Sequence, residues 1–301
     1  MSNIIKIGII GLDTSHVLAF TQLINDPKHE YHVPGGRIVA AFPGGSPDFE
    51  LSISRVEGYT DQLREQFGVR IVNSPQAVAE ACDAILLESA DGRVHLEQFR
   101  LIAPYGKPVF IDKPLTVCSE EAREIVALAK QYAIPIMSTS ALRFAEGFVQ
   151  TLQAPNKSPI IGADIYGPMT IEPTQKGYFW YGIHTVEMLF TVLGKACESV
   201  MAFSNEDYDV LVGRWSDGRI GTIRGNRVGN MKFGATIHRE TECDFVDVSS
   251  HSKPYYASLM ERVITMFQSG KPVMDMEETL QIIRFIEAAN ESRTISAAVM
   301  L

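Results

Sequence analysis

With 301 residues, 46% of them hydrophobic and 21% charged, the chain has the composition of a globular protein with a substantial core and room for two ordinary domains. Its net charge of −9 is spread along the chain, which excludes nucleic acid as the expected partner, because phosphate neutralisation needs a basic face. The amino terminus does not read as a signal peptide, and no apolar run approaches the about 20 residues that cross a bilayer, so a cytoplasmic protein is expected.

Taken in order, the first half alternates strand and helix. Ile4 to Ile10 is a short β-branched run of the fully buried kind, ended by Gly11. Val17, Phe20 and Ile24 then recur at helical spacing until Pro27. Arg37 to Phe42 reads as a strand and is followed by the turn-rich Pro43-Gly44-Gly45-Ser46-Pro47. Helices are expected at Tyr59 to Phe67, Ala77 to Ala81, Val94 to Ile102 and Ser119 to Tyr132. Strands are expected at Ala84 to Leu87, Val109 to Ile111 and Ile134 to Met137. Repeated strand–helix units of this length predict an α/β fold with a doubly wound parallel (Rossmann) sheet.

Past about residue 150 the texture changes. Ile160 to Ile165, Ser199 to Phe203, Asp209 to Trp215, Ile220 to Arg224 and Phe233 to His238 look like strands joined by short turns. Ser216-Asp217-Gly218 supplies the positive φ of a tight hairpin. Helices are expected at His184 to Leu193, Pro254 to Gln268 and Met276 to Ser292. The division predicted is therefore residues 1–140, a dinucleotide-binding domain, and residues 141–301, an α+β domain with a mostly antiparallel open sheet for substrate and oligomerisation.

Chemistry is expected at the carboxyl ends of the first-half strands, where ligands of parallel α/β sheets bind. The turn after the first strand reads Gly11-Leu12-Asp13-Thr14-Ser15-His16. A dinucleotide fingerprint wants Gly-x-Gly-x-x-Gly here, but only Gly11 matches; Asp13 and His16 stand at the other two glycine positions. A carboxylate about 4 Å from a phosphate charge is repelled by roughly 4 kcal/mol at an effective dielectric near 20. Asp13 must therefore turn away, or it or Thr14 caps the helix, while Thr14, Ser15, His16 and the helix amides hold the phosphate. No acid closes the second strand to bind a ribose; Ser46 or Arg55 would instead meet a 2′-phosphate, so both NAD and NADP stay open.

The segment Gly106-Lys107-Pro108-Val109-Phe110-Ile111-Asp112-Lys113-Pro114 runs a buried strand directly into a carboxylate, an amine and a proline. Together with Lys6-Ile7-Gly8-Ile9-Ile10-Gly11, Asp83 to Leu87 followed by His95, Ala141-Leu142-Arg143-Phe144, Gly182-Ile183-His184 and the closing Glu287-Ala288-Ala289-Asn290-Glu291-Ser292, it resembles the glucose–fructose oxidoreductase / inositol dehydrogenase / rhizopine-catabolism (Gfo/Idh/MocA) family nearly end to end. Asp112-Lys113-Pro114 stands where that family carries Glu-Lys-Pro.

The resemblance implies an NAD(P)-dependent oxidoreductase acting on a hydroxyl carbon of a sugar, cyclitol or related polyol. It implies that Lys113 touches both nicotinamide and substrate, and that His184 is the acid–base. It further implies cofactor contacts from Ser46, Ser89, His95 and Asp112 and substrate contacts from Arg143, Trp180 and Tyr181, in a dimer or tetramer. The chemistry is consistent: an ammonium stabilises a developing alkoxide, and a neutral imidazole takes the hydroxyl proton. Taken alone, His184 also fits a core histidine on an amphipathic helix with Val186, Leu189 and Leu193.

The chain departs from the family in carrying Trp180 where an acid usually precedes the histidine, and Glu187, one turn after His184, is the candidate replacement. It also departs at Ser89-Ala90-Asp91, where the family tends to have Thr-Pro-Asn, with Glu88 adding an acid just before. These departures mark an atypical branch and keep two alternatives open: a non-catalytic ligand sensor or partner protein, and a redox-neutral lyase or glycosidase with tightly held NAD. No metal is expected, because Cys82, Cys118, Cys197, Cys243 and the remaining histidines show no ligand spacing; reduced, mostly buried thiols are the reading.

Overall fold

The computed structural model describes residues 4–301. In chain order these form β1 (Ile5–Ile10), α1 (His16–Asn25), β2 (Gly36–Phe42), α2 (Glu50–Phe67), β3 (Arg70–Ile71), α3 (Pro75–Ala81), β4 (Ala84–Leu87), α4 (His95–Ile102), β5 (Val109–Ile111), α5 (Ser119–Gln131) and β6 (Ile136–Met137). The chain continues through α6 (Glu146–Gln153), β7 (Ile160–Pro168), α7 (Gly182–Leu193), β8 (Cys197–Ser204), β9 (Tyr208–Trp215), β10 (Ile220–Asn226), β11 (Gly234–Arg239) and β12 (Cys243–Asp247). It closes with α8 (Tyr255–Ser269), α9 (Met276–Ile295) and β13 (Val299–Met300).

The chain divides into two compact units. The first takes the described residues up to Thr116, then Glu120–Thr139 and Tyr256–Met276; the second takes Val117–Ser119, Ser140–Tyr255 and Glu277–Leu301. The helix α8 thus returns to the first unit, a crossing that a single boundary at residue 140 does not describe.

In the first unit the strands are all parallel, in the order β3-β2-β1-β4-β5-β6. The order reverses between β1 and β4, and such a switch point opens a crevice at the carboxyl ends of the strands. Ile7, Ile9 and Ile10 of β1 are fully buried, as are Leu86 and Leu87 of β4 and Phe110 and Ile111 of β5. That burial on both faces is why these strands read as unbroken apolar runs. Gly8 lets α3 approach β1: a Cβ there would lie 2.2 Å from Val78 Cγ1 and 2.9 Å from Cys82 Sγ.

The second unit holds a sheet in the order β12-β11-β7-β10-β9-β8-β13, antiparallel except for β7 and β10. The Asp217-Gly218 hairpin joins β9 to β10, with Gly218 at φ 89° and its N–H donating to Trp215 O at 3.0 Å. The core helix α7 lies on one face, where Gly221 leaves room for Leu189 and Leu193.

The two-residue strands β3 and β13, the strand β12, the helix α6 and the first half of α2 went unread in the sequence. The helix α2 begins at Glu50, well before Tyr59, because it is a surface helix whose only buried residues are Ser52 and Leu63, which leaves no apolar stripe to detect. Strand β12 is an edge strand on which only Val246 is buried, and α6 is a single short amphipathic stretch. Among the described residues, no helix is long and apolar enough to cross a membrane. The thiols differ in part from expectation: Cys82 and Cys197 are buried, Cys118 is intermediate and Cys243 is exposed.

Candidate active site

The first unit collects its polar chemistry where β1, β4 and β5 end. Gly11 has φ 90°, and a Cβ on it would lie 2.4 Å from Ser89 N, so the turn after β1 is pressed against the end of β4. Asp13 is fully buried and faces the protein interior. Its Oδ2 accepts from Ser52 Oγ at 2.5 Å and its Oδ1 from Ala90 N at 2.9 Å. Burial pushes its pKa up, with the Ser52 and Ala90 hydrogen bonds pulling it part of the way back. Asp13 is therefore neither a helix cap nor a group presented to a phosphate, but a tie between the turn, α2 and the end of β4. Thr14 is nearly buried and its Oγ1 accepts from His16 N at 3.4 Å; Ser15 is exposed and its side chain makes no cap to α1.

His16 opens α1, stacked on Phe20 at 5.4 Å between ring centroids and edge-on to Tyr256 at 5.0 Å. Its Nδ1 lies 2.9 Å from Asp112 Oδ2 and 3.8 Å from Glu88 Oε2. Lys113 Nζ donates to the same Asp112 Oδ2 at 3.1 Å, and the Lys113–Pro114 peptide is cis. Burial alone would raise the Asp112 pKa, but the His16 imidazole and the Lys113 ammonium outweigh it and hold the carboxyl well below the usual range. Glu88 moves the opposite way: burial first, then the Asp112 charge, push it well above its ordinary value. Glu88 is fully buried, and neither of its oxygens has a hydrogen-bond partner in the protein.

The remaining residues expected to face a cofactor differ in how they are engaged. Ser46 is buried, its N–H donating to Ser52 Oγ at 2.8 Å, while its hydroxyl has no hydrogen-bond partner in the protein. Ser89 Oγ donates to Gln98 Oε1 at 2.8 Å. His95 is fully buried with Nε2 2.8 Å from Ser89 O and Nδ1 3.0 Å from Pro114 O. It clamps the loop after β4 to the loop after β5. Beside it, Arg93 binds Asp91 and the exposed Asp48, a surface network that sequence reading missed.

In the second unit, every residue of α7 is buried except His184 and Thr191. His184 therefore stands on the first turn of a core helix without belonging to the core. Its ring lies edge-on to Tyr181 at 5.7 Å and to Phe233 at 5.6 Å, and Tyr181 meets Trp180 at 6.3 Å. Ser140 Oγ is 2.7 Å from His184 Nδ1. Ser140 was not singled out from sequence; its only signal is its place immediately before the Ala141-Leu142-Arg143-Phe144 block. Glu187, the candidate partner of His184, has a partner in Arg143. It is buried and binds Arg143 Nε at 2.7 Å, while Arg143 Nη2 donates to Glu278. Arg143, expected to touch substrate, holds two ion pairs within the second unit.

Residues 5–139 match the oxidoreductase family (GFO_IDH_MocA) with an NAD-binding Rossmann fold. No curated protein sequence matches the chain. Among solved structures, the chain is similar to scyllo-inositol dehydrogenase from Lactobacillus casei with bound NAD(H) and scyllo-inositol, at 15% identity and TM-score 0.81 over 99% of each chain. It is similar to a probable dehydrogenase from Thermotoga maritima at 18% identity and TM-score 0.77 over 98% of each chain. A putative myo-inositol dehydrogenase from Sinorhizobium meliloti matches at 14% identity and TM-score 0.80, over 98% of this chain and 99% of that one. At such identities the shared property is the fold. Residues 5–139 therefore carry the NAD-binding Rossmann fold of the Gfo/Idh/MocA oxidoreductase family, and the rest of the chain shares the fold of these dehydrogenase structures.

The first unit's residues fit the dinucleotide the family implies. The one carboxylate in the phosphate turn is turned inward, and no Ser15 cap occupies the amino end of α1.

Proposed function

We propose that the chain oxidises a secondary hydroxyl of a small cyclitol, sugar or related polyol, with Lys113 and His184 as its catalytic residues. The observation that carries this reading is the Lys113 ammonium, held by a carboxylate 3.1 Å away at the carboxyl end of β5 in an NAD-binding fold. The nicotinamide, when bound, supplies the hydride acceptor. Lys113 stabilises negative charge developing on the substrate oxygen, and Asp112 is the positioning residue that fixes the ammonium. His184 takes the hydroxyl proton. In the tautomer whose Nδ1–H donates to the Ser140 hydroxyl 2.7 Å away, Nε2 is the basic nitrogen that serves this role. Trp180 and Tyr181 supply the flat apolar surface that a ring substrate stacks on. Thr14, Ser15 and the amino end of α1 would hold the phosphates.

Self-association belongs to the same reading. Opposite α7, one cross-strand row of the second sheet runs Phe245, Thr236, Asp164, Thr222, Val212 and Met201, with Phe245 81% exposed. A second copy of the chain covering this face would bury its apolar members, Phe245, Val212 and Met201.

Reduction of NAD⁺ and NADP⁺ is followed by absorbance across a panel of inositols, aldoses and acyclic polyols. At least one cyclic polyol is expected to turn over, with His184→Asn slowed by about 100-fold or more. Turnover of a substrate at an undiminished rate by both His184→Asn and Lys113→Ala would sink the assignment.

A further inference from the structure

The carboxyl edge of the first sheet carries a group that the dehydrogenase reading leaves unused. Glu88 follows β4 directly, is fully buried, and has no protein hydrogen-bond partner at either oxygen. Buried polar atoms normally have one, and such an exception calls for an explanation. Its neighbours are His16 Nδ1 at 3.8 Å and, beyond that nitrogen, Asp112 Oδ2 at 2.9 Å from it. One ligand atom from each of the three residues lies within 4.8 Å of the other two.

We propose that His16, Glu88 and Asp112 form a divalent transition-metal site at the switch point of the parallel sheet. Ions of this type bind imidazole nitrogen and carboxylate oxygen at about 2.0–2.2 Å, which sets neighbouring donors roughly 3–4 Å apart. A hydrogen bond between His16 and Asp112 accounts for the short 2.9 Å distance but leaves Glu88 unexplained. A shared cation accounts for all three. The mixed nitrogen and oxygen donor set selects Zn²⁺ or Mn²⁺ over Mg²⁺ and Ca²⁺, which prefer oxygen alone. Three protein ligands leave open positions on the ion for an anionic oxygen. The residues come from three different strand ends: His16 after the β1 turn, Glu88 after β4 and Asp112 after β5. Lys113, whose ammonium shares Asp112 Oδ2 at 3.1 Å, opposes the ion and sets its affinity.

The full chain, treated with chelator and free of dinucleotide, is titrated with Mn²⁺ by electron paramagnetic resonance and with Zn²⁺ by calorimetry. One ion per chain is expected. Glu88→Gln, which keeps size and shape, weakens binding by at least about 10-fold with circular dichroism unchanged. Lys113→Met tightens it, an outcome that loss of fold cannot mimic. Asp164→Asn is the control, since Asp164 forms an exposed pair with His238 at 2.7 Å and has no part in the site. Absence of stoichiometric binding in the wild-type chain overturns the proposal whatever the variants do. So does binding that survives Glu88→Gln or is lost in Asp164→Asn. Because no dinucleotide is present, failure here leaves the dehydrogenase assignment standing.

Discussion

Replacing Asp13 with glycine would give the turn after β1 the second glycine of the dinucleotide fingerprint, and the structure makes this a damaging change. The fully buried carboxylate accepts from Ser52 Oγ at 2.5 Å and Ala90 N at 2.9 Å, and Ser52 Oγ in turn receives Ser46 N at 2.8 Å. Each hydrogen bond to a charged group is worth about 1.5–3 kcal/mol, and glycine adds roughly 0.5–1 kcal/mol of chain entropy to the cost of folding. Against this stands the relief of a desolvated carboxyl, whose pKa burial pushes up. A net loss of about 2–4 kcal/mol follows, which lowers the thermal midpoint by roughly 5–15 °C. The assay pairs thermal unfolding by circular dichroism with titration of NADH. Asp13→Gly should unfold earlier and bind NADH no better than the wild type. A variant of unchanged stability that bound NADH about 10-fold more tightly or better would mean that the carboxylate faces the phosphate after all.

Arg143→Met leaves Glu187 and Glu278 without their shared cation in a largely buried setting, so stability should fall by about 3–5 kcal/mol, read by urea unfolding. A stable variant whose only change is a raised KM would restore Arg143 as a substrate contact. For Glu88 the sign of the pH dependence is fixed by its raised pKa. Above its ordinary value near 4.5 the unfolded chain ionises Glu88 while the folded protein keeps it protonated, so in metal-free protein this group costs stability as pH rises towards the folded pKa. Glu88→Gln should therefore gain stability relative to wild type on going from pH 5 to pH 8, and the opposite trend in urea midpoints would contradict the burial described here. Exposed Cys243 should react first with a thiol reagent in the native protein, and Cys243→Ser should remove that fast phase. Burial pushes the Cys82 thiol up to about 11 and the Cys197 thiol up to about 12, so both should stay unreactive until unfolding.

Much of the fold was legible because parallel strands buried on both faces leave unbroken apolar runs, as in β1, β4 and β5. Lys113 stood out for the same reason: a carboxylate and an amine directly follow such a run, and the structure buries the carboxylate, Asp112, at the end of β5. What stayed hidden depends on partners far away in the chain. Asp13 looked like an obstacle to phosphate because its partners Ser52 and Ala90 lie 39 and 77 residues further on. His95 and Arg143 carried the right chemistry for a ligand, yet both also have distant partners in the protein: backbone carbonyls for His95, Glu187 and Glu278 for Arg143. The meeting of Glu88 with His16 and Asp112 depends on the order of strands β1, β4 and β5, which periodicity alone does not specify.

The most direct measurement is a titration of the purified chain with NADH and NADPH, followed by nicotinamide fluorescence and calorimetry. Saturable binding of at least one of them at one site per chain is expected, weakened when Lys113 is replaced by alanine. Absence of binding by either dinucleotide, in protein shown to be folded, would contradict the assignment of this chain as a working dehydrogenase.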